Sequence, residues 1–125
     1  MEIQWLSNTM QNTVSIYETN ITLNKVAASN FIHSYATLIG FDRENNTLII
    51  KSLNKEDATS GLYKESDLHP ISVKATYGRI NGKNIIRNIS SLFPLDFSVK
   101  TSYKYKSEWD EISHSLIIYL KEEIK

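Results

Sequence analysis

The chain has no cysteine, only two prolines and only four glycines among its 125 residues. The missing cysteine excludes disulfides, zinc thiolate centres and thiol nucleophiles together, and is compatible with a reducing compartment. The glycines, at positions 40, 61, 78 and 82, are too scattered for a phosphate-cradling loop, and no serine stands in a nucleophile-elbow context. No apolar run approaches the roughly 20 residues that a membrane helix needs. The opening MEIQWLSNTMQN lacks the basic flank and apolar centre of a signal peptide. A cytoplasmic protein without membrane contact is therefore expected. His33, His69 and His114 lie far apart with no ligand spacing, and the acidic pairs Glu56-Asp57 and Asp110-Glu111 fall in expected loops. No metal, no cofactor and no buried acid/base pair is expected, and the chain reads as non-enzymatic.

What is present is an ordinary globular composition, 41% apolar and 22% charged, in a length that suits one compact domain or two small units sharing a core. One stretch recurs. Val14–Lys25, VSIYETNITLNK, is echoed by Ile71–Lys83, ISVKATYGRINGK. In the first copy, Val14–Glu18 alternates like a strand, Glu18-Thr19-Asn20 suits a turn and Ile21–Leu23 alternates again. Asn24 is placed as a helix N-cap for Lys25–His33, whose pairs Ala27/Phe31 and Ala28/Ile32 form one apolar stripe. Tyr35–Phe41 and Thr47–Leu53 then read as a hairpin around the polar run 42–46. In the second copy, Ile71–Ala75 is a strand, Tyr77-Gly78 a turn and Arg79–Asn81 a strand. Gly82 starts the helix Lys83–Phe93, and Pro94 stops it. Phe97–Tyr105 alternates, Lys106–Ser113 reads as a loop and Ser115–Lys121 closes the unit.

The sequence thus divides into an arm at 1–12 that packs on the core, a first repeat at 13–53, a linker at 54–70, a second repeat at 71–121 and a solvated tail at 122–125. Leu62 and Leu68 are expected to pin the linker, and Trp5 and Trp109 to cover core edges. The expected fold class is α+β: two tandem β-β-α-β-β repeats forming one pseudo-twofold domain. The rival is another duplicated α+β sheet with helices on one face.

The run VSIYETNITLNKVAASNF followed by ATLIGFDRENNTLIIKS resembles the swapped-hairpin half-barrel of AbrB-type transcription regulators. Gly78-Arg79-Ile80 is similar to that family's Gly-Arg-Val turn, and two such units in one chain resemble the MraZ-type arrangement. The sequence departs from those patterns in having no proline at either helix start and no Asp-x-x-x-Arg signature. The resemblance implies a double-split barrel, a monomer that is a covalent pseudo-dimer or else a homodimer, and DNA as partner.

Charge sharpens this. Fourteen basic and fourteen acidic side chains cancel overall, which argues against a protein that is basic throughout. Residues 1–70 are net −3, residues 71–106 net +6 and residues 107–125 net −3. Clustered cations with tyrosines between them suit phosphate contact, so Lys74, Arg79, Lys83, Arg87 and Lys104 are the expected nucleic-acid-binding residues. The competing expectation is a protein-interaction or structural module whose lysines are solvated outer faces of strands.

Overall fold

In the computed structural model, residues 1–6 and 11–124 are described. Runs in which β-branched or aromatic residues alternate with polar ones form eight strands among the described residues. These are β1 (Thr13–Tyr17), β2 (Asn20–Asn24), β3 (Ala36–Asp42), β4 (Thr47–Leu53), β5 (Ser72–Val73), β6 (Tyr77–Asn81), β7 (Ser102–Asp110) and β8 (Ser115–Glu123). Among the described residues three α-helices join them: α1 (Lys25–Ser29), α2 (Lys55–Ala58) and α3 (Lys83–Leu92). All pairings are antiparallel, in one sheet of order β3-β4-β8-β7-β1-β2-β6-β5. The sheet curls into a half-barrel, so the fold class is α+β with few helices.

Alternation decides what the curl encloses. Val14, Ile16, Ile21, Leu23, Ile80, Tyr105, Leu48, Ile50, Leu116 and Ile118 are buried on the concave side. Each such Val, Leu or Ile contributes roughly 1.5–3 kcal/mol by leaving water. Ala27 and Ala28 of α1 and Ile86 and Ile89 of α3 complete this core.

α1 begins where the sequence places it. The Asn24 side-chain oxygen accepts the Ala27 N–H at 2.9 Å and the Thr13 N–H at 3.2 Å, so one residue caps the helix and ties it to β1. The helix ends earlier than expected, at Ser29, because Ser29 and Asn30 turn their side chains onto the Val26 and Ala27 carbonyls. The apolar stripe breaks there. Phe31 is buried, whereas Ile32 is 60% exposed.

Gly78 corrects the expected turn at Tyr77-Gly78. The turn lies at Ala75-Thr76, closed by the Lys74 N–H on the Tyr77 carbonyl at 2.7 Å, and Gly78 is inside β6. Its role is close approach: a Cβ there would stand 2.9 Å from Ala28 Cβ, on a helix that cannot back away from its core. Gly78→Ala is therefore expected to cost about 1–3 kcal/mol by overpacking. A urea titration measures it, and an unchanged midpoint would refute the contact.

The second hairpin also differs from expectation. Lys106–Asp110 belongs to β7, and the β7–β8 loop is only Glu111–His114, as short as Arg43–Asn46 between β3 and β4. Both loops end on a non-glycine residue at φ 50°, Asn46 and His114. Each opens on an aspartate that accepts a backbone N–H two residues on. Across the β4–β8 pair Ile49 faces Ile117, the Asn46 carbonyl accepts the Leu120 N–H and the His114 carbonyl accepts the Ser52 N–H. The expected strand at Phe97 starts instead at Ser102. Asp96 accepts the Ser98 N–H at 3.0 Å, so 97–99 is a turn and Val99 is 73% exposed.

These aspartates set an acid limit. The Asn45 amide on Asp42, the Ser98 hydroxyl on Asp96 and the Ser113 hydroxyl on Asp110 each hold the carboxyl below its usual value. A depressed folded pKa gives stability that is present above the unfolded value and lost as pH falls through the folded one. The melting temperature is expected to fall as pH drops below about 4. The fall should be shallower in an Asp42→Asn/Asp96→Asn/Asp110→Asn variant; an identical pH profile would refute it.

Residues 54–70 are a built cover rather than a bare linker. Ala58, Tyr63 and Leu68 pack with Ala36, Leu38 and Leu53 in a second small core. Leu68 is the pin expected of it; Leu62, at 78% exposure, is not. Thr37 and His69 exchange both backbone hydrogen bonds, at 2.8 and 2.9 Å. The N-terminal arm does not pack as expected, since Ile3, Trp5 and Leu6 are exposed; Met10 lies outside the described residues. At the other end β8 extends to Glu123, which pairs with Lys100, so only part of 122–125 is solvated; Lys125 lies outside the described residues.

Candidate nucleic-acid interface

The convex side of the sheet carries the polar half of each alternation. Residues directly opposite one another on paired strands share a face. Ser72 faces Arg79, Arg79 faces Thr22, Thr22 faces Ser15 and Ser15 faces Lys104. One row therefore crosses β5, β6, β2, β1 and β7. Arg79 and Lys104 stand three strand spacings apart on it, about 14 Å. Lys106 lies on the same side two residues along β7, opposite Thr13.

Arg79 is held in place. Its Nε donates to Thr22 Oγ1 at 3.3 Å, and its guanidinium lies 4.9 Å over the Tyr77 ring. A cation over an aromatic face gains about 0.5–1 kcal/mol at an exposed site and loses rotamer freedom in advance of any ligand. Lys104 and Lys106 are exposed and extend into solvent. The other outward positions on these strands, up to Lys106 of β7, are serine, threonine, asparagine or tyrosine, with no carboxylate among them. The nearest lysine of the basic segment with a carboxylate partner is Lys100, paired with Glu123 and lying over the Tyr103 ring; this is the one ion pair among the described residues.

The five expected residues do not form one cluster. Arg79 and Lys104 share the central row. Lys74 is exposed beside the β5–β6 turn, at the end of β6 where Tyr77 faces Asn24. Lys83 and Arg87 are exposed, one helical turn apart on α3, at the opposite end of β6. They line a concavity of about 350 Å³ with Glu18 and Thr19, where the Glu18 carboxylate offsets part of their charge. Lys106 and Thr22 belong to the face and were not expected there. Two-residue spacing from Lys104 is the signal for Lys106; nothing in the sequence pairs Thr22 with Arg79.

The remaining chemistry is sparse. Among the described residues no group of three or more His, Asp or Glu side chains is disposed to hold a metal. His33 is exposed. His69 is part-buried in its bridge to Thr37, and that burial lowers its pKa against the pull of Asp67. Trp109 covers the core edge as expected, 5.4 Å from the Phe31 ring; Trp5 does not, at 85% exposure. A groove of about 770 Å³ runs along β3 between Ile39 and Phe41, α3 and the segment holding Tyr63 and His69. No protein-family description, curated protein or solved structure matches this chain.

Proposed function

We propose that the chain is a non-enzymatic, DNA-binding regulator of AbrB-like build, made of two β-β-α-β-β repeats about a pseudo-twofold axis. The observation that carries the DNA reading is the row holding Arg79 and Lys104, on a stretch of the convex face across β5, β6, β2 and β1 whose outward positions carry no carboxylate, with Glu108 bounding it on β7. Such a face displaces counterions from a polyphosphate without opposing charge. The element order supports the repeat: strand, strand, helix, strand, strand occurs on each side of residues 54–70. Register supports the axis. Arg79 stands opposite the residue 57 positions before it, Thr22, while Asn20 faces Asn81 and Asn24 faces Tyr77. Ile49 and Ile117 play the same part between β4 and β8. Lys74, Lys83 and Arg87 serve as outer phosphate contacts on the margins of the face.

Fluorescence anisotropy with a labelled 20-mer duplex tests the reading. Binding is expected at low salt, with log K falling linearly in log salt at a slope near −0.9 per phosphate contacted. A chain that ignores duplex DNA at about 20 mM salt does not bind DNA through phosphate contacts, and the reading falls.

A second reading, a protein-interaction module, has its own observation. β3 stands at the end of the strand order. Thr37 directs its backbone to His69, away from β4, so by the two-residue period Ile39 and Phe41 do the same beyond that bridge. An open edge above an apolar groove suits an added strand from a partner. A nuclease-resistant partner captured by the wild type, and lost with Ile39→Pro, would favour this reading over the first.

A further inference from the structure

The strand order ends at β3, and part of that edge is bare. Thr37 is covered, because it exchanges both backbone hydrogen bonds with His69. Further along, Ile39 and Phe41 turn the same side of their backbone outward, and among the described residues no backbone group bonds to them there. Native edges are commonly blunted by a lysine, a proline or a bulge. ATLIGFD has neither lysine nor proline, and its register with β4 is unbroken. The groove beside this edge is lined from both faces of β3. Ile39 and Phe41 meet it from the concave face, with Ile85 and Ile89 of α3 beside them, and Leu38 and Gly40 meet it from the convex face. A space that touches both faces of an edge strand has the shape of one more strand.

The chain itself carries a segment of matching period. In residues 1–6, MEIQWL, the apolar Met1, Ile3 and Trp5 alternate with Glu2 and Gln4, and Leu6 follows. Such alternation suits a half-buried strand, but in the single chain all six residues stand in solvent and none lines the groove. The arm leaves the sheet beside β7, where the Asn12 carbonyl accepts the Ser107 N–H. From β7 to β3 is three strand spacings, about 14 Å, so the arm would have to double back across β8 and β4 to reach its own groove. The groove of a second copy sets no such demand. Laid antiparallel on β3, the arm sets Ile3 opposite Phe41 and Trp5 opposite Ile39. Residues directly opposite share a face, so both side chains enter the groove on the α3 side. Leu6 then lies opposite Leu38 on the other face, near Tyr63. Gln4 faces Gly40, where there is open space. Glu2 falls opposite Asp42, an unfavourable pair at the end of the strand.

We propose that residues 1–6 of one copy add a strand to β3 of a second copy, and that the exchange is mutual, giving a twofold dimer. The proposal rests on the second reading above, in which the β3 edge accepts an added strand, and it names that strand. The outward N–H and C=O groups of Ile39 and Phe41 pair with those of Trp5 and Ile3. A mutual exchange closes on itself, so it stops at the dimer instead of growing into a filament. It does not use the row that holds Arg79 and Lys104, which crosses the strands at the other end of the order.

The test is sedimentation velocity of the full chain from about 1 μM to 1 mM, the range in which a modest interface dissociates. A reversible monomer–dimer equilibrium is expected. Ile3→Asp/Trp5→Asp, in the exposed arm, should weaken it by at least about a hundredfold, since it removes the aromatic anchor. Ile39→Pro should do the same. Its N–H faces outward, so proline there costs no bond to β4. Mixed together, the two variants should dimerise again through one exchange, because the first keeps a sound edge and the second a sound arm; a loss of folding could not be rescued in this way. Should Ile39→Pro fail to fold, Ile39→Lys, a charge on the edge strand, takes its place. A wild type that stays monomeric throughout overturns the proposal. So does a dimer that survives in Ile3→Asp/Trp5→Asp, or one that is lost there but kept in Ile39→Pro, since the arm then docks away from β3. The edge reading fails separately, by the partner capture described above: a monomer that still takes a nuclease-resistant partner through Ile39 leaves that reading standing and overturns only the arm as its strand.

Discussion

Phe31→Ala is expected to remove about 3–5 kcal/mol of stability, the range for truncating a fully buried aromatic side chain. Phe31 lies just past the end of α1, is 1% exposed and meets the Trp109 ring edge-on, with centroids 5.4 Å apart at 78°. It therefore joins the α1 cap to β7. Truncation leaves a cavity bounded by a sheet that cannot collapse onto it, and it also removes an aromatic pair that contributes about 0.5–1.5 kcal/mol beyond its buried area. For a domain of this size the melting temperature should fall by about 10–20 °C. Trp109 gives a second readout. In a Trp5→Phe background, which removes the exposed indole, the near-ultraviolet circular dichroism of Trp109 should weaken as its partner ring goes. Ile32→Ala is the control. Its neighbour's side chain is buried and its own is 60% exposed, so it should change stability by no more than about 0.5 kcal/mol. Equal effects at the two positions would mean that α1 continues to His33 as one amphipathic helix, against the structure described.

That pair of residues also shows where the sequence is readable and where it stops being so. The Asn24 cap is visible because a cap is a local device: the acceptor and the N–H it serves are three residues apart. The bounds of β4, Thr47–Leu53, are equally local, since alternation runs uninterrupted between polar neighbours. The end of α1 is not, because Ser29 and Asn30 are as compatible with a helix as with the side-chain bonds that finish it. Gly78 fails for a different reason. A glycine announces freedom of backbone or closeness of approach, and only the position of Ala28 distinguishes them. At Phe97–Val99 the alternation is genuine, but Asp96 captures the backbone first.

The candidate face is harder still. Arg79 and Lys104 are legible as cations and as outward positions on strands. Their membership of one row depends on register across β6, β2, β1 and β7, which is set by contacts far apart in the chain. Lys83 and Arg87 looked equivalent to them in the sequence, because charge density along the chain carries no information about which side of β6 a helix will take. The register shift between β7 and β8 left no trace at all, because the alternation of β7 runs through Tyr105, Ser107 and Trp109 unbroken.

The DNA reading stands or falls on whether position on the row matters more than charge. Arg79→Glu combined with Lys104→Glu is expected to weaken duplex binding on the order of 10²-fold at about 50 mM salt, the release expected for two phosphate contacts. The slope of log K against log salt should become shallower by about two. The fold should survive, because Arg79 gives up only one part-buried hydrogen bond to Thr22 and its position over Tyr77, and Lys104 is exposed. Net charge is the confounder, since any two such reversals make the protein more acidic by the same amount. Lys55→Glu with Lys64→Glu supplies the matched comparison. Both residues are exposed in the 54–70 cover, which packs on β3 and β4 at the other end of the strand order. Charges more than a Debye length from the bound phosphates, about 8–10 Å near physiological salt, are largely screened. The cover variant should therefore bind within about threefold of wild type at that salt. If both pairs lose affinity equally, the convex face has no special part and only bulk charge is at work. If the row variant binds as wild type does, the phosphates lie elsewhere, and the open edge of β3 becomes the surface to follow.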